Sequence, residues 1–187
     1  MNYGETLAYW YLRLNGFFLL NNFVVHRTPG NQYSSDIDLL GIRLPHVYEE
    51  VGGQPNDWHD LLMANLNQNI MTGVICEVKT GNFNDNEIFR PQYLHYALDR
   101  FGFIPNLSNH TEEISNNRVT TFENFQIIKI LVSNQVSNRN DLLQITLQES
   151  RNFINNRIQK YQVQKWQDRI LFQSDLLGDY IDQIHHE

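Results

Sequence analysis

Gly73-Val74-Ile75-Cys76-Glu77-Val78-Lys79-Thr80-Gly81 is the stretch whose reading decides the fold. It is a short apolar run with β-branched residues, bounded by glycine at both ends, and it reads as a buried strand. Successive side chains of a strand point to opposite faces, so Glu77 and Lys79 emerge on one side while Cys76 and Val78 pack on the other. A carboxylate and an ammonium two residues apart on such a strand are costly to bury unless they have partners or a task. Cys76 is the only cysteine of the chain. It therefore makes no internal disulfide and offers no thiolate zinc cluster, and it reads as a small buried strand residue.

A second strand supplies the expected partner. Ser35-Asp36-Ile37-Asp38-Leu39-Leu40-Gly41-Ile42 carries Asp38 at the head of an apolar run, with Asp36 two residues earlier on the same face. If the two strands pair, Asp38, Glu77 and Lys79 converge at one end of the sheet. Two hard oxygen ligands beside an ammonium suit a divalent cation such as Mg²⁺, which takes one or two carboxylates, several waters and a phosphate oxygen. Lys79 then sits where it can hold an attacking water and offset charge developing on a phosphate.

Asp38 followed by Leu-Leu-Gly-Ile, then Glu77-Val78-Lys79 on the next strand, resembles the PD-(D/E)XK nuclease superfamily, which includes Holliday-junction resolvases and RecB-type nuclease domains. The motif's proline is absent here, and Asp38 lies within Ser-Asp-Ile-Asp, which keeps the metal ligand in place. Further along, Gln92-Tyr93-Leu94-His95-Tyr96 matches in type and order the Q-x-x-x-Y signature of the RecB-like members. Gly4-Glu5-Thr6-Leu7-Ala8, followed by Gly16-Phe17, resembles their first helix, whose glutamate often reaches the metal site. The resemblance implies a three-layer α/β/α fold with a central mixed sheet, a restriction-endonuclease-like core in the order αβββαβ, and C-terminal helices beyond it. It also implies roles. Asp38 and Glu77 hold Mg²⁺, with Mn²⁺ as a substitute, and the Val78 carbonyl adds a ligand. Lys79 positions the nucleophile, Glu5 assists a second metal or orients water, and Gln92 with Tyr96 steadies the site or a phosphate.

In chain order, Tyr3 to Asn15 reads as a helix closed by Gly16. Glu5, Ala8, Tyr9 and Leu12 lie on one stripe of it, and Glu5 also suits the first turn against the helix dipole. Phe17 to Arg27 reads as a strand bent or interrupted at Asn21-Asn22, with a solvent-facing His26 and Arg27 at its end expected over a pair aimed at a phosphate. Thr28-Pro29-Gly30-Asn31 is a turn signal. The segment 44–72 is longer than a hairpin needs and is the least family-like part. A packing appendage is the default reading there; a lid, a DNA-contacting arm or a dimer surface are the alternatives, with Trp58 and His59 the residues to test. Pro91 to Gly102 reads as a helix with Pro in its first turn and Gly at its end. Gln92 and Tyr96, four apart, share a face of it. Pro105 to Asn117 reads as polar and turn-like, Phe125 to Val132 as the next core strand, and Ser133 to Asp141 as loop. Thr146-Leu147-Gln148-Glu149 has the capping-box arrangement and opens a helix through Ile158. Trp166 to Ile184 reads as a final amphipathic helix.

At 187 residues the chain is most simply one domain, with an insertion at 44–72 and C-terminal helices at 146–185. No signal-like start and no apolar run of about 20 residues is present, so a cytoplasmic location without membrane contact is the expectation. The formal net charge of −7 opposes strong nonspecific binding to nucleic acid, which rests on Lys and Arg neutralising phosphates. The first reading is a Mg²⁺-dependent nuclease hydrolysing DNA phosphodiesters, with DNA as partner and a protein partner or homodimer left open. The alternative is a catalytically inactive or partner-dependent nucleic-acid or protein-binding module of the same fold. Hydrolysis of a small phosphate substrate is a distant third, since no Gly-rich phosphate loop is present.

Overall fold

Asn2 starts the first helix by a reciprocal cap. Its side chain accepts the Glu5 N–H at 3.0 Å while Glu5 Oε2 accepts the Asn2 N–H at 3.0 Å. The helix, α1, runs Tyr3–Leu14 and buries Leu7, Ala8, Tyr11 and Leu12 on one stripe. Gly16 ends it at a φ of +86°, where a side chain would be strained and a Cβ would lie 2.9 Å from Val47 Cγ1. The structure, a computed structural model, describes residues 2–24 and 36–161. The expectations placed on His26, Arg27, the turn at Thr28 to Asn31 and the helix from Trp166 to Ile184 lie outside those residues.

Strands β1 (Phe18–Val24), β2 (Asp36–Arg43) and β3 (Met71–Lys79) pair antiparallel in succession, with Leu20 opposite Leu40 and Leu39 opposite Cys76. β3 is buried from Thr72 to Val78, as its glycine-bounded apolar run predicts. On its other side it pairs in parallel with β5 (Phe125–Ser133), Glu77 opposite Leu131 and Lys79 opposite Ser133. Two short strands finish the six-stranded mixed sheet. β4 (Val119–Thr121) runs antiparallel to the start of β5, and β6 (Leu143–Thr146) runs parallel to its end.

Helices cover both faces. On one, α1 and α5 (Leu147–Lys160, capped by Thr146) enclose Val74, Cys76, Val78, Ile130 and Val132. On the other, α3 (Pro91–Phe101) and α4 (Thr111–Asn116) enclose Ile75, Ile127 and Leu131 with Leu94, Ala97, Leu98 and Ile114. α3 starts at Pro91 and stops at Gly102, whose φ is +64°, as its sequence predicts. The chain is thus an α/β protein with a mixed sheet between helical layers. Among the described residues no helix is long and apolar enough to cross a membrane.

Three expectations are corrected. Residues 105–117 are not simply a polar excursion: they hold a 3₁₀ turn at Leu107–His110 and then α4, anchored by buried Leu107 and Ile114. The composition Leu61-Leu62-Met63-Ala64-Asn65-Leu66 predicts a helix, and only a short one forms, α2 (Asp60–Met63). The strands β4 and β6 were not expected.

The segment between β2 and β3 packs against α1 and α5, and Met71 and Thr72 at its end already belong to β3. Trp58 is 8% exposed and two guanidinium groups lie over its ring, Arg43 at 5.1 Å and Arg157 at 5.8 Å from the centroid. Asp57 accepts from Lys160 Nζ at 2.5 Å and from the Tyr161 hydroxyl, which fastens this segment to the end of α5. Arg157 donates to the carbonyls of Leu14 and Gly52, tying α5, α1 and this segment together. His59 Nδ1 lies 2.7 Å from the Tyr11 hydroxyl, and its backbone N–H donates to Asn15 Oδ1 at 2.8 Å. Burial lowers the His59 imidazole below its ordinary value and pushes the Tyr11 phenol well up.

Candidate functional site

Antiparallel pairing brings the start of β2 to the end of β3. Continuing the register of Leu39 with Cys76 sets Asp38 opposite Glu77. Alternation turns both carboxylates, and Lys79 with them, toward the sheet face that carries α3. Lys79 Nζ donates to Glu77 Oε2 at 2.8 Å and lies 4.0 Å from Asp38 Oδ2. The three charged groups read from the sequence therefore meet.

Each is held by something specific. Asp38 Oδ2 accepts the Val78 N–H at 2.7 Å, so the backbone of β3 orients that carboxylate. The same bond shows that the amide edge of Val78 faces β2, and in a strand the carbonyl of a residue points the way its N–H does. The Val78 carbonyl is thereby turned to the Asp38 side. On the β5 side, the Asn134 N–H donates to the Lys79 carbonyl at 3.3 Å and Asn134 Nδ2 donates to the Thr80 carbonyl at 3.1 Å.

Exposure is graded across the site: the Lys79 side chain is 32% exposed, Asp38 16% and Glu77 6%. Burial raises the Glu77 carboxyl above its ordinary value, with Lys79 opposing the shift and Asp38 adding to it. Burial acts to lower the Lys79 ammonium, but Glu77, by charge and hydrogen bond, and then Asp38 hold it above the ordinary lysine value. Lys79 is thus a firmly protonated cation between two acids. Cys76 lies behind them in the α1 and α5 core, and burial raises its thiol well above the usual range, so it is a packing residue.

Asp38, Glu77 and the Val78 carbonyl are a fitting donor set for Mg²⁺ or Mn²⁺: hard oxygens on adjacent strands, few enough to leave most positions to water. Among the described residues no group of three or more His, Cys, Asp or Glu side chains is arranged to hold a metal. The described acidic contribution at this strand end is the two carboxylates of Asp38 and Glu77.

The remaining site residues read from the sequence stand apart. Glu5 is at the same end of β3, since Gly4 packs closely against Val78 and Thr80. Its carboxylate, however, caps α1 through Asn2 N and Asn2 Nδ2, and α1 covers the sheet face opposite Glu77. Gln92 and Tyr96 share the exposed side of α3, while Leu94, Ala97 and Leu98 turn inward. Neither hydrogen-bonds to Asp38, Glu77 or Lys79.

Two ionic clusters, each built on one fully buried side chain, Lys129 and Asp57, escape a motif-based reading. Lys129 is fully buried in the middle of β5 and donates to Asp141 at 2.8 Å and to the Ser115 carbonyl at 2.5 Å. Arg139 donates to the same Asp141 and to the Ile88 carbonyl. The one signal was a lysine inside the apolar run Ile127-Ile128-Lys129-Ile130-Leu131. The second cluster, Asp57 with Lys160 and Arg157, brings together residues about a hundred positions apart and leaves no local signal.

No family model matches the chain, and neither the curated proteins nor the solved structures give a match. The functional reading therefore stands on the residues themselves.

Proposed function

We propose that this protein is a Mg²⁺-dependent nuclease that hydrolyses DNA phosphodiester bonds at the end of β3. The observation that carries the reading is the convergence of Asp38, Glu77 and Lys79 from two adjacent strands, with Lys79 Nζ 2.8 Å from one carboxylate and 4.0 Å from the other. Asp38 and Glu77, with the Val78 carbonyl, are the residues to hold the cation. A bound divalent cation supplies charge neutralisation at the scissile phosphate and lowers the pKa of a coordinated water. Asp38 is already fixed by the Val78 N–H, so its carboxylate needs no reorganisation on binding. Lys79 is protonated and partly exposed, which suits it to orient a hydroxide and to offset charge on a phosphate oxygen.

The test is a cleavage screen with linear, circular, branched and single-stranded DNA in Mg²⁺ or Mn²⁺, run beside Lys79→Ala. Metal-dependent cutting is expected, with a loss of about 10²–10³-fold or more in the variant. A folded Lys79→Ala protein that cuts as fast as the wild type takes the chemistry away from these residues.

A second reading has its own support. Lys79 already neutralises Glu77, and the chain carries a net charge of −7. Both favour a catalytically inactive or partner-dependent binding module of the same fold, because an acidic protein with its lysine engaged has little to offer the phosphate backbone. DNA binding without cleavage of any substrate in the screen selects this reading.

A further inference from the structure

On the sheet face opposite Glu77, α5 carries a buried cation that lacks an anion. Arg157 is 3% exposed, and among the described residues its guanidinium forms no ion pair. Nη1 donates to the carbonyls of Leu14 and Gly52. Nη2, shut off from solvent, has no hydrogen-bond partner. Buried charges are normally paired, because desolvation makes a lone one costly. Arg157 also lines a cavity of about 190 Å³ between α5 and the segment joining β2 to β3. Its Cζ lies 5.8 Å from the Trp58 ring and 5.0 Å from the Phe153 ring, and both rings are walls of that cavity. His59, on the same wall, adds a donor. Tyr11 is fully buried and its hydroxyl, kept protonated by that burial, has His59 Nδ1 at 2.7 Å as its partner. Nδ1 therefore accepts, and the neutral imidazole carries its proton on Nε2.

We infer that this cavity binds a small aromatic carboxylate, with its anionic end on Arg157 and the His59 Nε2–H and its ring against Trp58 and Phe153. Charge sets the valence. The Lys160 ammonium is taken up by Asp57, whose carboxylate also accepts from the Tyr161 hydroxyl and the Gln54 N–H, so that pair cancels. What remains of the lining's charge is one guanidinium inside and the Asp60 carboxylate, exposed to solvent. A monoanion balances the first, whereas a dianion such as phosphate is repelled by the second. The walls set the body, since an apolar cavity of about 150 Å³ already holds benzene. Nη2 is closed off in this state, so entry requires the exposed lining side chains, Asn156 among them, to turn aside. The cavity is on the other side of the sheet from Asp38, Glu77 and Lys79 and does not depend on their chemistry.

The test uses the full chain and benzoate as the probe. Ligand-observed NMR and thermal melting at about pH 8 are expected to show saturable binding in the millimolar range or tighter, with a raised melting temperature. Benzyl alcohol, which keeps the ring and lacks the charge, and inorganic phosphate at matched ionic strength are expected to bind about tenfold or more weakly. Asp60→Asn, at an exposed position, is expected to tighten benzoate about twofold and to narrow its preference over phosphate. Arg157→Lys, checked for native circular dichroism, is expected to weaken benzoate about tenfold or more. Asp60→Asn keeps the inference testable if Arg157→Lys does not fold. An absence of saturable benzoate binding overturns the inference. So does equal binding of benzyl alcohol or phosphate, benzoate binding that Asp60→Asn leaves unchanged, or a folded Arg157→Lys that binds as tightly as the wild type.

Discussion

Lys79→Met keeps most of the apolar stem of the side chain and removes the ammonium that neutralises Glu77. The charges are 2.8 Å apart, and at an effective dielectric constant of about 20 unit charges that close attract by about 6 kcal/mol. Much of that is offset by the cost of holding the Glu77 carboxylate, 6% exposed, out of water. Lys79 is about one-third exposed, so solvent screens its share of the attraction. The expected net loss of folding stability is about 1–3 kcal/mol near neutral pH, and it should depend on pH in a definite sense. Glu77 already has a raised carboxyl, by burial first, and Lys79 is what restrains that rise. Without Lys79 the group climbs further, so the folded variant binds a proton that the unfolded chain releases. Below the unfolded value near 4.5 the penalty is absent, and it grows as pH rises through the folded value. The raised Lys79 value adds no slope there, because its stabilisation is complete at every pH below the ordinary lysine value.

Urea unfolding followed by intrinsic fluorescence at about pH 4 and about pH 8 measures both limits. The gap between wild type and Lys79→Met should be small at the first and full at the second, and Glu77→Gln placed in the Lys79→Met background should recover most of it. Saturating Mg²⁺ should raise the melting temperature of Lys79→Met more than that of Lys79→Met with Asp38→Ala. An equal loss at both pH values, or none near pH 8, refutes the view that a buried carboxylate depends on this lysine.

Asp38→Asn should abolish the heat of Mn²⁺ binding in calorimetry while the far-ultraviolet circular dichroism stays native; an unchanged isotherm removes Asp38 from the metal site. Trp58→Ala, which deletes the ring that Arg43 and Arg157 both approach, should cost about 3–5 kcal/mol by urea unfolding, with Trp58→Phe recovering part. The Asp141 carboxyl is held far below the usual carboxylate range, by hydrogen bonds from Arg139 first and then from Lys129. Its stabilisation is present above the unfolded value near 3.8 and is lost as pH falls toward the folded one. Asp141→Asn should therefore destabilise near neutral pH and converge on the wild type in acid, again read by urea unfolding.

What the sequence disclosed follows the range of the forces involved. β3 and β5 were legible because a strand buried on both faces needs a near-continuous apolar run. α1, α3 and α5 were legible because their ends are written locally, in Pro91, Gly16, Gly102 and the Thr146 cap. β4 and β6, with three and four residues, carry too little pattern to declare themselves and exist through pairing with β5. Within the site, the strand spacing placed Asp38, Glu77 and Lys79 correctly on one face. The assignment of Glu5 overlooked a competing local signal, since Asn2 with Glu5 three residues on is itself a capping box. For Gln92 and Tyr96, four-residue spacing fixed that they share a face but not which one; Leu94, Ala97 and Leu98 took the inward side.

The loops beyond β3 and β5 are fastened to each other. Gln135 Nε2 donates to Asn82 Oδ1, the Ser137 hydroxyl to Asp85 and the Arg139 guanidinium to the Ile88 carbonyl, so the strand end that carries Glu77 and Lys79 has little freedom to shift. Asp38 is fixed as well, by the Val78 N–H. The adaptable member is Lys79, whose ammonium sits on a flexible stem and is the most exposed of the three. The nuclease reading and the binding-module reading therefore differ in one free energy, that of exchanging the Lys79 ammonium on Glu77 for a divalent cation. If the exchange is favourable, Lys79 is released toward an incoming phosphate by the same event that completes the metal site. If it is unfavourable, the ion pair persists and the pocket is a structural staple. On the favourable branch metal affinity should rise when Lys79 is replaced by Met even though cutting is lost, a pairing of gain and loss that a lysine serving only to hold the fold does not produce.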